Sequence, residues 1–265
     1  CDGKKKAYEI FDGIVGGRVH VIDLPQVKSA AGRSLLRSEY ARFVTVLEER
    51  AGRKITADSL RKGIETVNAK RKALARLAKL RAADPAPISG LDALLVNQIS
   101  FYDDPPRFTK AVNDLCDELD GRVSGKKGAK PAGAPRILVS GCPMAVPNWK
   151  VPAIVERGTA AVIVGEESCV GERGLSGLVE GSGKTVGALL DALTDRYMGI
   201  DCAIFTPNPG RMEKVTAMAR DLRASGVIHY ALQFCHPYQI EAGPAEERLE
   251  AAGIPVLRVE PDYGS

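Results

Sequence analysis

Residues 136–169 read RILVSGCPMAVPNWKVPAIVERGTAAVIVGEESC. Two short apolar runs, RILVS and AAVIVG, flank the stretch NWKVPAIVERG, which is long enough to cross over a sheet and closes on a glycine. The pattern recurs downstream. CAIFTP, GVIHYALQF and IPVLRVE are further short apolar runs, separated by GALLDALTDRYMG, GRMEKVTAMARDLRASG and AEERLEAAG. Strands alternating with crossover helices are the rhythm of a doubly wound parallel sheet, so residues 136–265 are expected to form an α/β domain.

Upstream the rhythm is different. GRVHVIDLP at 17–25 is a short apolar run ending at a proline and suits a buried strand. Tyr8, Ile10 and Phe11 stand near a helical spacing before it. After it, apolar positions recur every three or four residues over Ser34–Ala51 and Thr56–Ala82, which predicts two helices. Thr56 is the expected cap of the second and ADPAP at 83–87 its stop. A further helix is expected over Pro106–Asp120. The small, basic text around GKKGAK reads as a linker, placed at 123–135 between a first region, 1–122, and the second domain, 136–265.

With 45% hydrophobic and 26% charged residues, the 265-residue chain can bury a large core or two modest ones. No run of about eighteen apolar residues occurs, so a spanning helix is not expected, and a cytoplasmic setting is the default. The net charge of +4 is spread along the helical half, and aromatics are few, so no nucleic-acid groove is expected. The chain opens on Cys1 without a signal-like run, which reads as an internal segment of something larger.

Six cysteines are too few for a secreted disulfide scaffold, and none forms a C-x-x-C pair. In open parallel sheets, ligands sit beyond the carboxyl ends of the strands. Cys142 after ILVSG, Cys169 after VIVGEES and Cys235 after IHYALQF are all expected at that edge. Cys202, at the start of CAIF, falls at the opposite edge, and Cys116 lies inside a helix, so these two read as structural. Thiolates from separate strand-end loops suit an iron–sulfur cluster better than a zinc ribbon. Glu166, Glu167 and Ser168 precede the second cysteine, while Gln233 and His236 flank the third. Glu167, Gln233 and His236 are the neighbours expected to orient or hydrogen-bond sulfur.

GSGKT at 181–185 imitates a phosphate loop. The motif needs a glycine at 178, where the chain has Leu178, and no strand leads into it. The backbone cradle requires that strand, so Gly183–Thr185 are expected simply to begin a helix.

Taken together, CDGKKKAYEIF, ILVSGCPMAVPNWKV, VIVGEESCVGER, DRYMGIDCAIFTPNPGRME, ALQFCHPYQIE and IPVLRVEPDYGS resemble the 2-hydroxyacyl-CoA dehydratase and benzoyl-CoA reductase subunit family. CDGKKK is similar to its double-cubane cluster branch. The resemblance implies an α/β protein of two Rossmann-like, doubly wound domains with helical segments, the first truncated at its N-terminus. It implies an oxygen-sensitive iron–sulfur oxidoreductase with an 8Fe-9S double cubane, or a single 4Fe-4S cluster. It also implies electron supply from an ATP-dependent 4Fe-4S activator protein, and a homodimer. Matched residue by residue, Cys1, Cys142, Cys169 and Cys235 would be the cluster ligands.

Two other functions are weighed beside a double-cubane reductase of small substrates. One is a dehydratase or CoA-ester reductase subunit whose single cluster keeps an open iron for the substrate carbonyl. The other is an electron-transfer or scaffold protein with core cysteines. The basic helices over 34–82 offer an acidic partner such as the activator a docking face, or are an ordinary solvated surface.

Overall fold

The computed structural model describes residues 2–262. Helices come first: α1 (Asp2–Val15), α2 (Ala30–Ala51), α3 (Ala57–Leu80), α4 (Gly90–Ile99) and α5 (Pro105–Ser124). Then come β1 (Arg136–Gly141), α6 (Lys150–Gly158), β2 (Val162–Glu167), the single turn α7 (Glu172–Leu175), α8 (Val186–Met198), α9 (Pro209–Asp221), β3 (Gly226–Tyr230), α10 (His236–Ala251) and β4 (Val256–Val259). The strands form one parallel sheet in the order β2-β1-β3-β4. The α/β class and the doubly wound sheet read from residues 136–265 are therefore present.

Contacts divide the chain into two compact units. One holds the residues up to Glu65 together with Val179–Pro207; the other holds Thr66–Leu178 together with the chain from Asn208 onward. In the second, β1 and β3 run through the centre of the sheet. Leu138, Val162, Val164 and Val227 pack there with Met212, Val215, Ala219 and Leu222 of the α9 region and with Ala245 and Leu249 of α10. A second cluster joins Leu74 and Leu77 of α3 to Phe108, Val112, Cys116 and Leu119 of α5. Its apolar residues recur at helical spacing, which is why both helices were legible. Helix α4 sits close against β2, because a Cβ on Gly90 would stand 2.4 Å from that of Ile163. Glu156 of α6 caps α4, accepting from the backbone N–H groups of Gly90 and Leu91 at 2.6 and 3.0 Å.

In the first unit α2 packs on α8. Arg33 and Arg37 pair with Asp195 and Asp191 at 2.5 and 2.9 Å, and Tyr40 meets Tyr197 edge-on. Arg42 pairs with Glu39, and Arg50 donates to the carbonyls of Arg18 and Gly17. Much of the positive charge of α2 is thus committed within the chain.

The expected strand at 17–25 is irregular backbone. Its polar groups are satisfied by side chains instead of a ladder: Asp12 accepts from Val19 N–H, Glu39 accepts from Asp23 N–H, and Arg42 donates to the Val21 carbonyl. The expected strand at CAIFTP is also a loop, and Cys202 consequently lies on no sheet edge. Thr206 N–H donates to Gln26 O, Asp201 pairs with Lys28, and the Lys28 ammonium sits 5.0 Å over the Phe205 ring. The region 1–122, expected as a partial first α/β domain with a helical insertion, is helical throughout its described regular structure, and the four-stranded sheet is the one sheet among the described residues.

Candidate functional site

The order β2-β1-β3-β4 makes the chain leave β1 toward one side of the sheet and β3 toward the other, and in such sheets the carboxyl ends at this switch point are where ligands bind. Cys142 is the first residue past β1 and Cys235 is the N-cap of α10 past β3. Cys169 follows β2, the other neighbour of β1.

The approach to Cys142 is dictated by backbone. Gly141 has φ +133°, and a Cβ there would stand 2.0 Å from Tyr230 O. Only glycine tolerates that conformation and that contact together. The turn lets Cys142 N–H donate to Tyr230 O at 2.8 Å, which stitches the two loops at the switch point. The Cys142 thiol is buried, with the Cys235 side chain beside it. Burial pushes it up to about 12, the Leu232 backbone working against this and Cys235 adding to it. Cys235 is partly exposed and Cys169 exposed.

Beneath these loops lies a charged network that the sequence reading missed apart from Glu167. Arg173 Nε and Nη2 donate to the two Glu167 carboxylate oxygens at 2.6 and 2.7 Å. Arg173 Nη1 reaches Cys169 Sγ at 3.6 Å and also donates to Tyr238 Oη, while Nη2 lies 3.4 Å from Gly141 O. Burial opposes the Arg173 charge, yet the Glu167 carboxylate outweighs it and holds its pKa above the ordinary arginine value. Arg211, wholly buried, donates to Ser140 Oγ at 3.0 Å and Glu167 Oε2 at 3.1 Å, and pairs with Glu241. Tyr238 carries a guanidinium on each account, with Arg173 5.4 Å and Arg211 4.9 Å from its ring centroid. Its carbonyl is bonded by His229 Nε2 at 2.9 Å. A charge this deep in the interior is tolerated because every ion in it is paired and hydrogen-bonded.

Of the other expected neighbours, Gln233 is exposed and donates through its backbone to Pro261 O, and His236 opens α10 with its side chain exposed. Cys116 is fully buried in the α3–α5 cluster. Cys1 lies outside the described residues. Around the edge stand the exposed apolar side chains of Val146 and Trp149 after β1 and Phe234 after β3, the last with a left-handed φ of +67°. Thr185 of the GSGKT stretch is the N-cap of α8, accepting from Ala188 N–H at 3.1 Å.

A second buried group lies behind β2. Arg81 approaches Glu166 Oε1 to 3.7 Å and Glu172 Oε1 to 3.5 Å, beyond hydrogen-bonding range. Burial, only partly offset by Arg81, pushes the Glu166 carboxyl up to about 7.

Among the described residues, no three His, Cys, Asp or Glu side chains are grouped closely enough for one metal ion. A tetrahedral single-ion site draws its thiolates to within roughly 4 Å of one another. A cluster binds each thiolate at a different iron and is served by more widely set ligands, so three soft donors on three neighbouring strand-end loops fit a cluster in kind.

Three relatives match the chain over most of its length. "Putative dehydratase subunit YjiM" of Escherichia coli K12 is 34% identical over all of this chain and 68% of its own length. The (R)-phenyllactyl-CoA dehydratase beta subunit of Clostridium sporogenes is 26% identical over 89% of the chain and 60% of its own length. The beta subunit of (R)-2-hydroxyglutaryl-CoA dehydratase of Acidaminococcus fermentans is 23% identical over 99% and 68%. The chain thus spans roughly two thirds of the length of these relatives. The family model described as 2-hydroxyglutaryl-CoA dehydratase, D-component, matches residues 1–265, and the chain belongs to that family.

Proposed function

We propose that this chain is the iron–sulfur-bearing part of a 2-hydroxyacyl-CoA dehydratase subunit, with Cys142, Cys169 and Cys235 as ligands of a 4Fe-4S cluster at the switch point of the sheet. The observation that carries the reading is that one buried guanidinium, that of Arg173, contacts Cys169 itself and residues beside the other two cysteines, Gly141 at the end of β1 and Tyr238 in the first turn of α10. Family membership and the names of the relatives supply the substrate class, a CoA thioester with a 2-hydroxyl group.

When bound, such a cluster supplies an electron donor and an open iron that polarises the thioester carbonyl. The chain's own residues do the remaining work. The bond from Cys142 N–H to Tyr230 O holds the chain after β1 against the end of β3, and Cys169 presents sulfur from the loop after β2. Arg173 donates to the Cys169 sulfur, and Arg211 holds from behind the Glu167 carboxylate that aims it. Val146, Trp149 and Phe234 give the edge an apolar rim suited to excluding water from an acyl chain. An ATP-dependent activator protein and a second copy of the chain are the partners expected in this reading, which is an oxidoreductase-type dehydratase.

The CDGKKK stretch favours a second reading, a double-cubane reductase in which Cys1 is a further ligand. Anaerobic iron and sulfide analysis of the full chain separates the two. About four irons per chain, with a spectrum that moves on adding an acyl-CoA, is the expected result, and about eight with no such movement selects the double cubane. Cys142→Ser and Cys235→Ser variants that keep the wild-type iron content would sink both.

A further inference from the structure

Arg173 stands in α7, as the last residue of the VIVGEESCVGER stretch, and it contacts Cys169 itself, Gly141 beside Cys142, and Tyr238 three residues after Cys235. A guanidinium has five N–H donors in a rigid fork, and here all five are engaged. Nε takes one Glu167 oxygen at 2.6 Å. Nη2 shares its pair among Glu167 Oε2 at 2.7 Å, Glu167 O at 3.1 Å and Gly141 O at 3.4 Å. Nη1 gives one to Tyr238 Oη and one to Cys169 Sγ. The loop after β1 is thereby held through Gly141, the loop after β2 through Glu167 and Cys169, and the start of α10 after β3 through Tyr238.

Two features show that this aim is built. The side chain is 3% exposed, so its orientation is fixed by packing as well as by Glu167. Glu167 is in turn fixed from behind by Ser140 Oγ at 3.0 Å and Arg211 Nη2 at 3.1 Å. Only one direction remains for the last Nη1 N–H, and it points at sulfur.

We infer that Arg173 is a positioning residue that presets the three cysteine loops and, through its N–H to Cys169 sulfur, raises the reduction potential of the centre those cysteines hold. This rests on the proposed cluster. Reduction adds negative charge, so a fixed cation donating to a ligand sulfur favours the reduced form, and the Glu167 carboxylate opposes it.

The test uses the full chain, loaded anaerobically with iron and sulfide, in wild-type, Arg173→Gln and Glu167→Gln forms. Iron content is measured first, then the midpoint potential by a redox titration followed by electron paramagnetic resonance. With iron retained, Arg173→Gln is expected to move the potential to more negative values and Glu167→Gln to more positive ones. A purely structural role gives no such opposed pair. Potentials that stay put, or move in the same direction, overturn the inference while leaving the cluster in place. A wild-type chain that takes up no iron instead removes the proposed function. Should Arg173→Gln fail to fold or load, the nearly isosteric Glu167→Gln decides alone: a positive shift supports the role of Arg173, and any other result ends it.

Discussion

A Cβ placed on Gly141 would stand 2.0 Å from the carbonyl oxygen of Tyr230, the same oxygen that accepts from Cys142 N–H at 2.8 Å. The first cysteine of the site is therefore positioned by the close approach of two central strands. Gly141→Ala forces either a strained φ or a separation of β1 from β3, and it is expected to destabilise the chain by about 2–4 kcal/mol. Urea unfolding at constant m-value checks this. A loss under about 0.5 kcal/mol, the range of neutral surface changes, would show that the two strand ends yield easily.

Thr185 makes a smaller and separable prediction. Its side chain caps α8, and Thr185→Ala is expected to lower stability by about 1 kcal/mol. Isothermal titration should find no binding of Mg-ATP to the wild-type chain at this stretch. Binding that Thr185→Ala or Lys184→Ala abolished would restore the phosphate-loop reading that Leu178 and the missing strand argue against.

The Glu166 carboxyl gives the chain a pH dependence of known sign. Its ordinary value is 4.5 and burial raises it to about 7 in the folded state, with Arg81 lowering it and Glu172 and Glu156 raising it. Between those values the unfolded chain has released a proton that the folded chain retains, so stability falls as pH rises from about 4.5 through about 7. Glu166→Gln is expected to flatten that fall and to be the more stable form, relative to wild type, at pH 8. Any remaining slope of that sign belongs to Glu172, also raised by burial. Urea midpoints at pH 5.5 and pH 8 measure it; equal slopes in wild type and variant would mean that Arg81 keeps Glu166 ionised throughout.

Period and punctuation made the second half legible. ILVS and VIVG are continuous apolar runs because both faces of the sheet are covered, and they became β1 and β2. Cys142, Cys169 and Cys235 followed from the rule that loops at strand carboxyl ends converge. The same apolar appearance misled at 17–25 and at 202–207, where Asp12, Glu39 and Gln26 from elsewhere in the chain satisfy the backbone. No local pattern encodes such partners. Helix α4 was overlooked because Ser89, its cap, follows a proline-rich stop that masked a new start. Arg173 closes the VIVGEESCVGER stretch but was given no role, because only the folded position of Glu167 turns its guanidinium inward. The cap role of Thr56 could be read directly, since Ser59 N–H donates to its hydroxyl at 3.2 Å.

Phe234 combines strain with exposure beside a proposed ligand. Its φ of +67° is left-handed and its side chain is 78% exposed, so neither backbone preference nor packing explains a phenylalanine there. An L-residue in that region forfeits roughly 1–2 kcal/mol, whereas glycine avoids the penalty but gives up about 0.5–1 kcal/mol of unfolded-state entropy. Phe234→Gly should therefore fold with equal or slightly greater stability, by up to about 1 kcal/mol. If the phenyl ring forms part of the rim that receives the acyl group, the same variant should bind an acyl-CoA more weakly, by about tenfold for 1.4 kcal/mol of lost contact, with its iron content unchanged. Calorimetric titration with a 2-hydroxyacyl-CoA reads the binding and urea unfolding reads the stability. Unaltered affinity would remove Phe234 from the rim, and a clear loss of stability would show that the ring packs in a way its exposure conceals.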